Sequence, residues 1–311
     1  MPDYDIVVVG GGMAALTAGL FAARAGRSTL VLEPAMPGGH LTTIQKIEDF
    51  PGFPDGVSGY ELGPNAQMQA MNNGADFAMA KVEALTEHDG GWLVQTTDGE
   101  HQARAVIVAA GSRARSLGVP GEDRFQGLGI SHCASCDGPL HRENTVGVVG
   151  GGDSAISEAL TLAEYVAKVV VFHRDDTFTA QTTYLERARE HRKIELRTGV
   201  IVEEITGDSV ISGVQVRNAS SGAVEQVELS CLFIYVGIEP NTGFLGGLVP
   251  LNASGHISTD IWMRTSRPGL LAAGDIRADS AAQAITAAGD GATAAIAAHR
   301  FLTDGSWEGA S

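Results

Sequence analysis

One pattern occurs twice in this chain, and it restricts the fold more than any other feature. Residues 6–9 form an apolar run that meets Gly10-Gly-Gly12, then a helical pattern over 13–25, then a second strand over 28–32 ending at Glu33. The same order returns at 146–149, with Gly150-Gly-Gly152, a helical pattern over about 154–165 and a strand over 168–172. A strand, a tight glycine turn and a helix feeding a parallel strand make half of a doubly wound sheet. Two copies predict an α/β chain with two Rossmann-like, three-layer nucleotide-binding domains.

The intervening segments suggest how the copies are joined. Residues 76–110 alternate like short strands, with turn signals at Asp89-Gly90-Gly91 and Asp98-Gly99, and residues 200–236 mirror them. Stretches near 112–122 and 238–250 are rich in Gly and Pro and read as crossings. The last third adds a strand-like run into Gly274 and Asp275 and a helix over about 282–301. The second domain is therefore expected to be inserted into the first, with 1–114 and 244–311 outside and 115–243 within.

With 311 residues, 44% apolar and 19% charged, the chain can bury a sizeable core. Its 21 basic and 37 acidic residues give a net charge of −16, which argues against nucleic acid or an anionic membrane as partner. No basic leader is evident at the N terminus, and no run is apolar enough to span a bilayer. Three cysteines are too few for an extracellular disulfide framework. A cytoplasmic location is expected.

The glycines of Gly10-x-Gly12-x-x-Ala15 would let backbone approach a pyrophosphate at a helix N-terminus, and Glu33 would accept ribose hydroxyls. Gly150-x-Gly152-x-x-Ala155 has the same context. Its second strand runs into His173, Arg174, Asp175 and Asp176, a poor cation set for a 2′-phosphate.

Between the two signatures stands Cys133-Ala-Ser-Cys136-Asp137-Gly138. Two residues between cysteines suit a reducible disulfide, whose exchange is governed by thiolate formation. Half a zinc site is the competing reading; it needs two further ligands. Cys231 sits alone in an apolar strand and reads as a buried core thiol. His132 either lowers the pKa of Cys133 or is an inert neighbour. The arrangement suggests two electrons moving from a nucleotide to a disulfide.

These segments, with Gly38-Gly-His-Leu-Thr-Thr43, Glu48-Asp-Phe-Pro-Gly-Phe53, Ala272-Ala-Gly-Asp275 and Gln283-Ala-Ile-Thr286, make the chain resemble the low-molecular-weight thioredoxin reductases along nearly its whole length. The resemblance implies FAD in the outer domain and a pyridine nucleotide in the inserted one. By family match, Gly10, Gly12, Met13, Ala14 and Glu33 would hold the adenosine and pyrophosphate of FAD. Gly39, His40, Leu41, Thr42 and Asp49 would line its middle, with Val82, Gly111 and Gly274 also in the cofactor set. Asp275 would meet the ribityl chain, and Gln283, Ala284 and Ile285 would lie along the flavin. Gly150, Gly152, Asp153, Ser154, His173 and Arg174 would take NAD(P). The resemblance further implies that Cys136 faces the flavin, Cys133 attacks the partner's disulfide and Asp137 is the general acid. It implies thioredoxin or a thioredoxin-like protein as partner, a homodimer, and rotation of one domain against the other about the crossings.

The chain departs from that family where the electron donor binds. The usual pattern on the second strand is His-Arg-Arg with another Arg four residues later; here Asp175 and Thr179 occupy the last two positions. A carboxylate repels a 2′-phosphate and can accept a 2′-hydroxyl, so NADH is favoured over NADPH. A ferredoxin-type donor and a dithiol oxidase are the alternatives; relatives with oxidase activity lack the acid that Asp137 supplies. Met13, His40, Asp49 and Ala282 also differ from the common family residues.

Overall fold

Ile6, Val7 and Val8 have no exposed surface, and neither do Ala105 to Val108. Strands buried on both faces belong at the centre of a parallel sheet, and these two runs pair there. The computed structural model describes residues 3–307. The chain opens with β1 (Tyr4–Val9), α1 (Met13–Arg24), β2 (Thr29–Leu32), α2 (Gly59–Asn72) and β3 (Ala75–Ala78). An antiparallel meander follows, β4 (Val82–His88), β5 (Gly91–Thr96) and β6 (Gly99–Val108).

The middle of the chain runs β7 (Ser112–Ala114), α3 (Glu122–Phe125), β8 (Ile130–Ser131), α4 (Ala134–Asp137), β9 (Thr145–Val149) and α5 (Asp153–Tyr165). It continues through β10 (Lys168–Phe172), α6 (Thr182–Glu190), β11 (Ile194–Arg197), β12 (Val200–Gly207), β13 (Ile211–Asn218), β14 (Val224–Glu228), β15 (Leu232–Ile234) and β16 (Ile238–Pro240). The return adds β17 (Leu270–Ala272) and α7 (Ala284–Asp304).

Two units result. The outer one combines residues up to Arg113 with those from Glu239 onward; the inserted one is Ala114–Ile238. The second crossing thus lies at 238/239 rather than the expected 243/244. Asn241 explains the difference: its N–H donates to Gly111 O (3.0 Å) and its Nδ2 to Ala110 O (2.9 Å). These bonds tie the chain to the outer unit almost at once.

In the outer sheet the parallel order is β3-β2-β1-β6, and β6 has two different partners on its other edge. Its first half pairs antiparallel with β5, its second half parallel with β17 (Leu270 opposite Val106). One face is covered by α1 and α7, whose small residues allow close approach; a Cβ at Gly291 would lie 2.1 Å from Ala14 O. The inserted unit holds a parallel sheet, β11-β10-β9-β15-β8, and an antiparallel one, β12-β13-β14. Both units are thus α/β with a parallel sheet at the centre. Trp307 packs edge-on against Phe301 at 5.1 Å, beside the α1–α7 layer.

Candidate active site

The outer glycine turn is built for close backbone contact. Gly10 has φ +117°, and a Cβ there would sit 2.3 Å from Ala109 O. Gly12 is the N-cap of α1 with no side-chain cap, and a Cβ on it would meet nothing within 4 Å. The first amides of α1 therefore open onto space that only a glycine leaves clear, which fits a pyrophosphate. Gly39 approaches from the next turn; its Cβ would lie 3.2 Å from Gly12 Cα. Glu33, half-buried beyond β2, accepts the Ala35 N–H at 3.0 Å. Burial raises its carboxyl above the ordinary range, and the Ala35 and Gly11 amides partly offset this.

Beyond β17 a short turn carries Gly274 and Asp275. Gly274 (φ +75°) nears α1, since its Cβ would lie 2.9 Å from Ala14 Cβ. Asp275 is half-buried, which raises its pKa; the Ser280 hydroxyl (3.3 Å) and the nearby His40 oppose the rise. The family-matched segments 38–43 and 274–276 thus converge. Asp290 holds this turn: it is 7% exposed, accepts the Gly274 N–H (3.1 Å) and pairs with Arg277 at 2.6 and 3.1 Å. Sequence reasoning missed it, although an acid inside an Ala-rich helix was the available signal.

The other family-matched positions vary in surroundings. Met13 and Ala14 are buried on the first turn of α1, and Leu41 and Thr42 are half-buried in a 3₁₀ turn. Gly111 (φ +59°) ends the β6 segment. Gln283 caps α7, its backbone bracketed by the Thr286 hydroxyl (3.4 and 3.0 Å); Ala284 is half-buried and Ile285 exposed. Asp49 lies exposed on a loop, and the side chain of Val82 is packed in the core, so a cofactor contact there would come from its main chain.

In the inserted unit Cys133 and Cys136 are joined by a disulfide, with Cα atoms 5.3 Å apart. The bond leaves neither sulfur free as a metal ligand. Cys133 caps α4, its sulfur accepting the Cys136 N–H at 3.2 Å, while its own N–H donates to Ser131 Oγ at 3.1 Å. Cys136 is exposed; Cys133 and Asp137 are half-buried, and the Asp137 N–H donates to Cys133 O. His132 bonds Ile234 O through Nδ1 (3.0 Å). Cys231 is buried and its thiol is pushed up to about 12, mainly by burial.

The second glycine turn repeats the first. A Cβ at Gly150 (φ +145°) would meet Tyr235 O at 2.3 Å, and Gly152 caps α5 without a side-chain cap. The surrounding side chains are occupied by the protein itself. His173 is 8% exposed, with its ring under Gly151, stacked on Phe178 and bonded to Thr177 O (3.0 Å). Arg174 is exposed and pairs with Asp175 (3.6 Å). Asp153 accepts both the main-chain and the side-chain N–H of Gln181 (2.7 and 2.8 Å), and Ser154 is exposed. Thr179 closes the loop onto Gly151 O.

Residues 4–291 match the family model described as pyridine nucleotide-disulphide oxidoreductase. The thioredoxin reductase of Treponema pallidum (strain Nichols) is 38% identical, over 96% of this chain and 97% of that protein. That of Mycolicibacterium smegmatis is 39% identical over 97% of each. The crystal structure of the thioredoxin reductase of Lactococcus lactis superposes with a TM-score of 0.95 at 36% identity, covering 97% of this chain and all of that one.

Proposed function

The chain belongs to the pyridine nucleotide-disulphide oxidoreductases, and from that premise we propose that it reduces the disulfide of thioredoxin or a thioredoxin-like protein. The observation that carries this is the Cys133–Cys136 disulfide, set in the unit that also holds the second glycine turn. In balance, NADH, a proton and the partner's disulfide give NAD⁺ and two thiols. Bound FAD supplies the relay between nucleotide and disulfide. This chain's own residues then hold and orient. The open turn at Gly12 and the half-buried Glu33 suit the cofactor's pyrophosphate and ribose.

Cys133 is the sulfur proposed to attack the partner, forming a mixed disulfide that Cys136 resolves as the partner's second thiol departs. Asp137, directly after Cys136, is proposed to give its proton to the departing thiolate. NADH is the proposed donor. Arg174, the cation that would meet a 2′-phosphate, is paired with Asp175, and Thr179 is neutral. Among the described residues no helix is long and apolar enough to cross a membrane. A reducing compartment such as the cytoplasm, where the pair can cycle, and a homodimer complete the proposal.

Anaerobic titration of the purified protein tests it. NADH should bleach a yellow chromophore, with kcat/KM above that for NADPH. Cys136→Ser should keep the chromophore and lose disulfide reduction. A clear NADPH preference overturns the choice of donor, and disulfide reduction that survives Cys136→Ser overturns the relay.

A further inference from the structure

Behind the disulfide lies an ionisable group that the relay leaves unused. Glu158, on α5, is 8% exposed, and its Oε2 is fully buried without a hydrogen-bond partner. Its neighbours on α5 are apolar and pack in the inserted unit's core: Ala155, Ile156, Ala159 and Leu162. A carboxyl in such a place is costly, and an unpartnered buried oxygen asks for a reason. The backbone N–H of Ala134, the residue that follows Cys133, faces this carboxyl. The same amide faces the hydroxyl of Tyr235, which is buried and also unpartnered. The Glu158 carboxyl and the Tyr235 hydroxyl therefore converge on the first amide of the disulfide helix, and one carboxyl oxygen, Oε2, is left unpartnered.

The charges around them are few. Asp137 on α4 and Cys231 before β15 act on Tyr235 together with Glu158. His141 bonds Ser230 Oγ (3.0 Å) and feels Asp137; His132 is tied to Ile234 O. Burial raises Glu158 to about 7, so its proton is exchangeable near neutrality.

We infer that Glu158 is a positioning residue of the disulfide centre, holding or releasing a proton against the Ala134 amide and so setting how readily the opened cysteine pair carries negative charge. The inference rests on Cys133–Cys136 being the redox pair. Two electrons from the reduced nucleotide break the S–S bond; with one proton from solvent they leave one thiol and one thiolate. An ionised Glu158 repels that thiolate and keeps the Ala134 amide to itself. A protonated Glu158 does neither, so opening the disulfide draws a further proton onto the carboxyl.

The test measures alkylation of Cys133 and Cys136 by iodoacetamide in the full-length, dithiol-reduced protein between about pH 5 and 9. The unaltered protein should show an inflection near 7 besides that of the thiol itself. Glu158→Gln should remove it, leaving rates equal near pH 6 and roughly 3- to 10-fold higher near pH 8. Glu158→Asp should retain an inflection, and so should Asp137→Asn. A role in packing alone would change stability without changing the shape of the profile. If Glu158→Gln fails to fold, infrared difference spectra of the unaltered protein, with isotope-labelled glutamate, decide. Reduction near pH 7 should add a protonated glutamic acid band, and its absence overturns the inference. If reduction exposes no alkylatable thiol at either cysteine, the redox-pair reading fails instead. If both thiols appear with one profile in both proteins, only the role of Glu158 falls.

Discussion

Glu158 and His173 carry side chains that a nucleotide-binding protein commonly offers to ligands, yet both are turned inward. For Glu158 this has a thermodynamic consequence. Its pKa is raised by burial from the ordinary 4.5 to about 7, so between these values the folded protein binds more protons than the unfolded chain. Stability from this residue is therefore undiminished below about 4.5 and falls as pH rises towards 7, by an order of about 3 kcal/mol. Urea unfolding of the protein and of Glu158→Gln across that range should give a stability difference that shifts towards the variant as pH rises. A constant difference would contradict it. His173 shows why part of the site was illegible. Its place after a strand resembled a ligand position, but its ring lies where Gly151 lacks a side chain, and that vacancy appears only in three dimensions. The cysteine pair was legible because its spacing and the following acid are chemistry written in adjacent residues.

Helix α2 was invisible to periodicity. Gly59, Gly63 and Pro64 are of the residue types that disfavour a helix most, yet this one runs unbroken through them. The glycines are its docking surface: a Cβ at Gly59 would lie 1.6 Å from Leu41 O, and one at Gly63 would lie 2.7 Å from Gly38 Cα. Packing of backbone on backbone outweighs the roughly 1 kcal/mol that each glycine costs a helix. The partner is the 38–44 segment, part of the family-matched cofactor set, so α2 sets that turn's height. Gly63→Ala should push it away, costing about 1–3 kcal/mol of overpacking and weakening flavin retention. Release of chromophore on dilution would measure this; unchanged retention would show that the turn yields without cost. The strand–glycine–helix elements, by contrast, were legible to within a residue or two, because tight turns and continuous apolar strands both leave local signals.

At the scale of the molecule, α2 shows a second face to solvent. Tyr60, Met68 and Met71 are each more than half exposed, and burying them is what a proposed homodimer would gain. Met68→Glu with Met71→Glu should convert a dimer to monomer, as seen by light scattering; a mass unchanged by both would leave α2 outside the interface. The nested order of the units was readable from the repeat and the second crossing from its Gly- and Pro-rich stretch, while the exact boundary at 238/239 was not, because Asn241 fixes it through bonds to Ala110 and Gly111, far away in sequence. The divided edge of β6 has a consequence for synthesis. Half of that edge waits for β17, and α1 waits for α7, both made after the entire inserted unit. On the ribosome the inserted unit can finish first, while the earliest-made strands stay incomplete until translation is nearly over. Cofactor loading is then a late event in the life of each new chain. A truncated product could carry a folded disulfide unit but no complete outer sheet, and so would be unable to draw electrons from the cell.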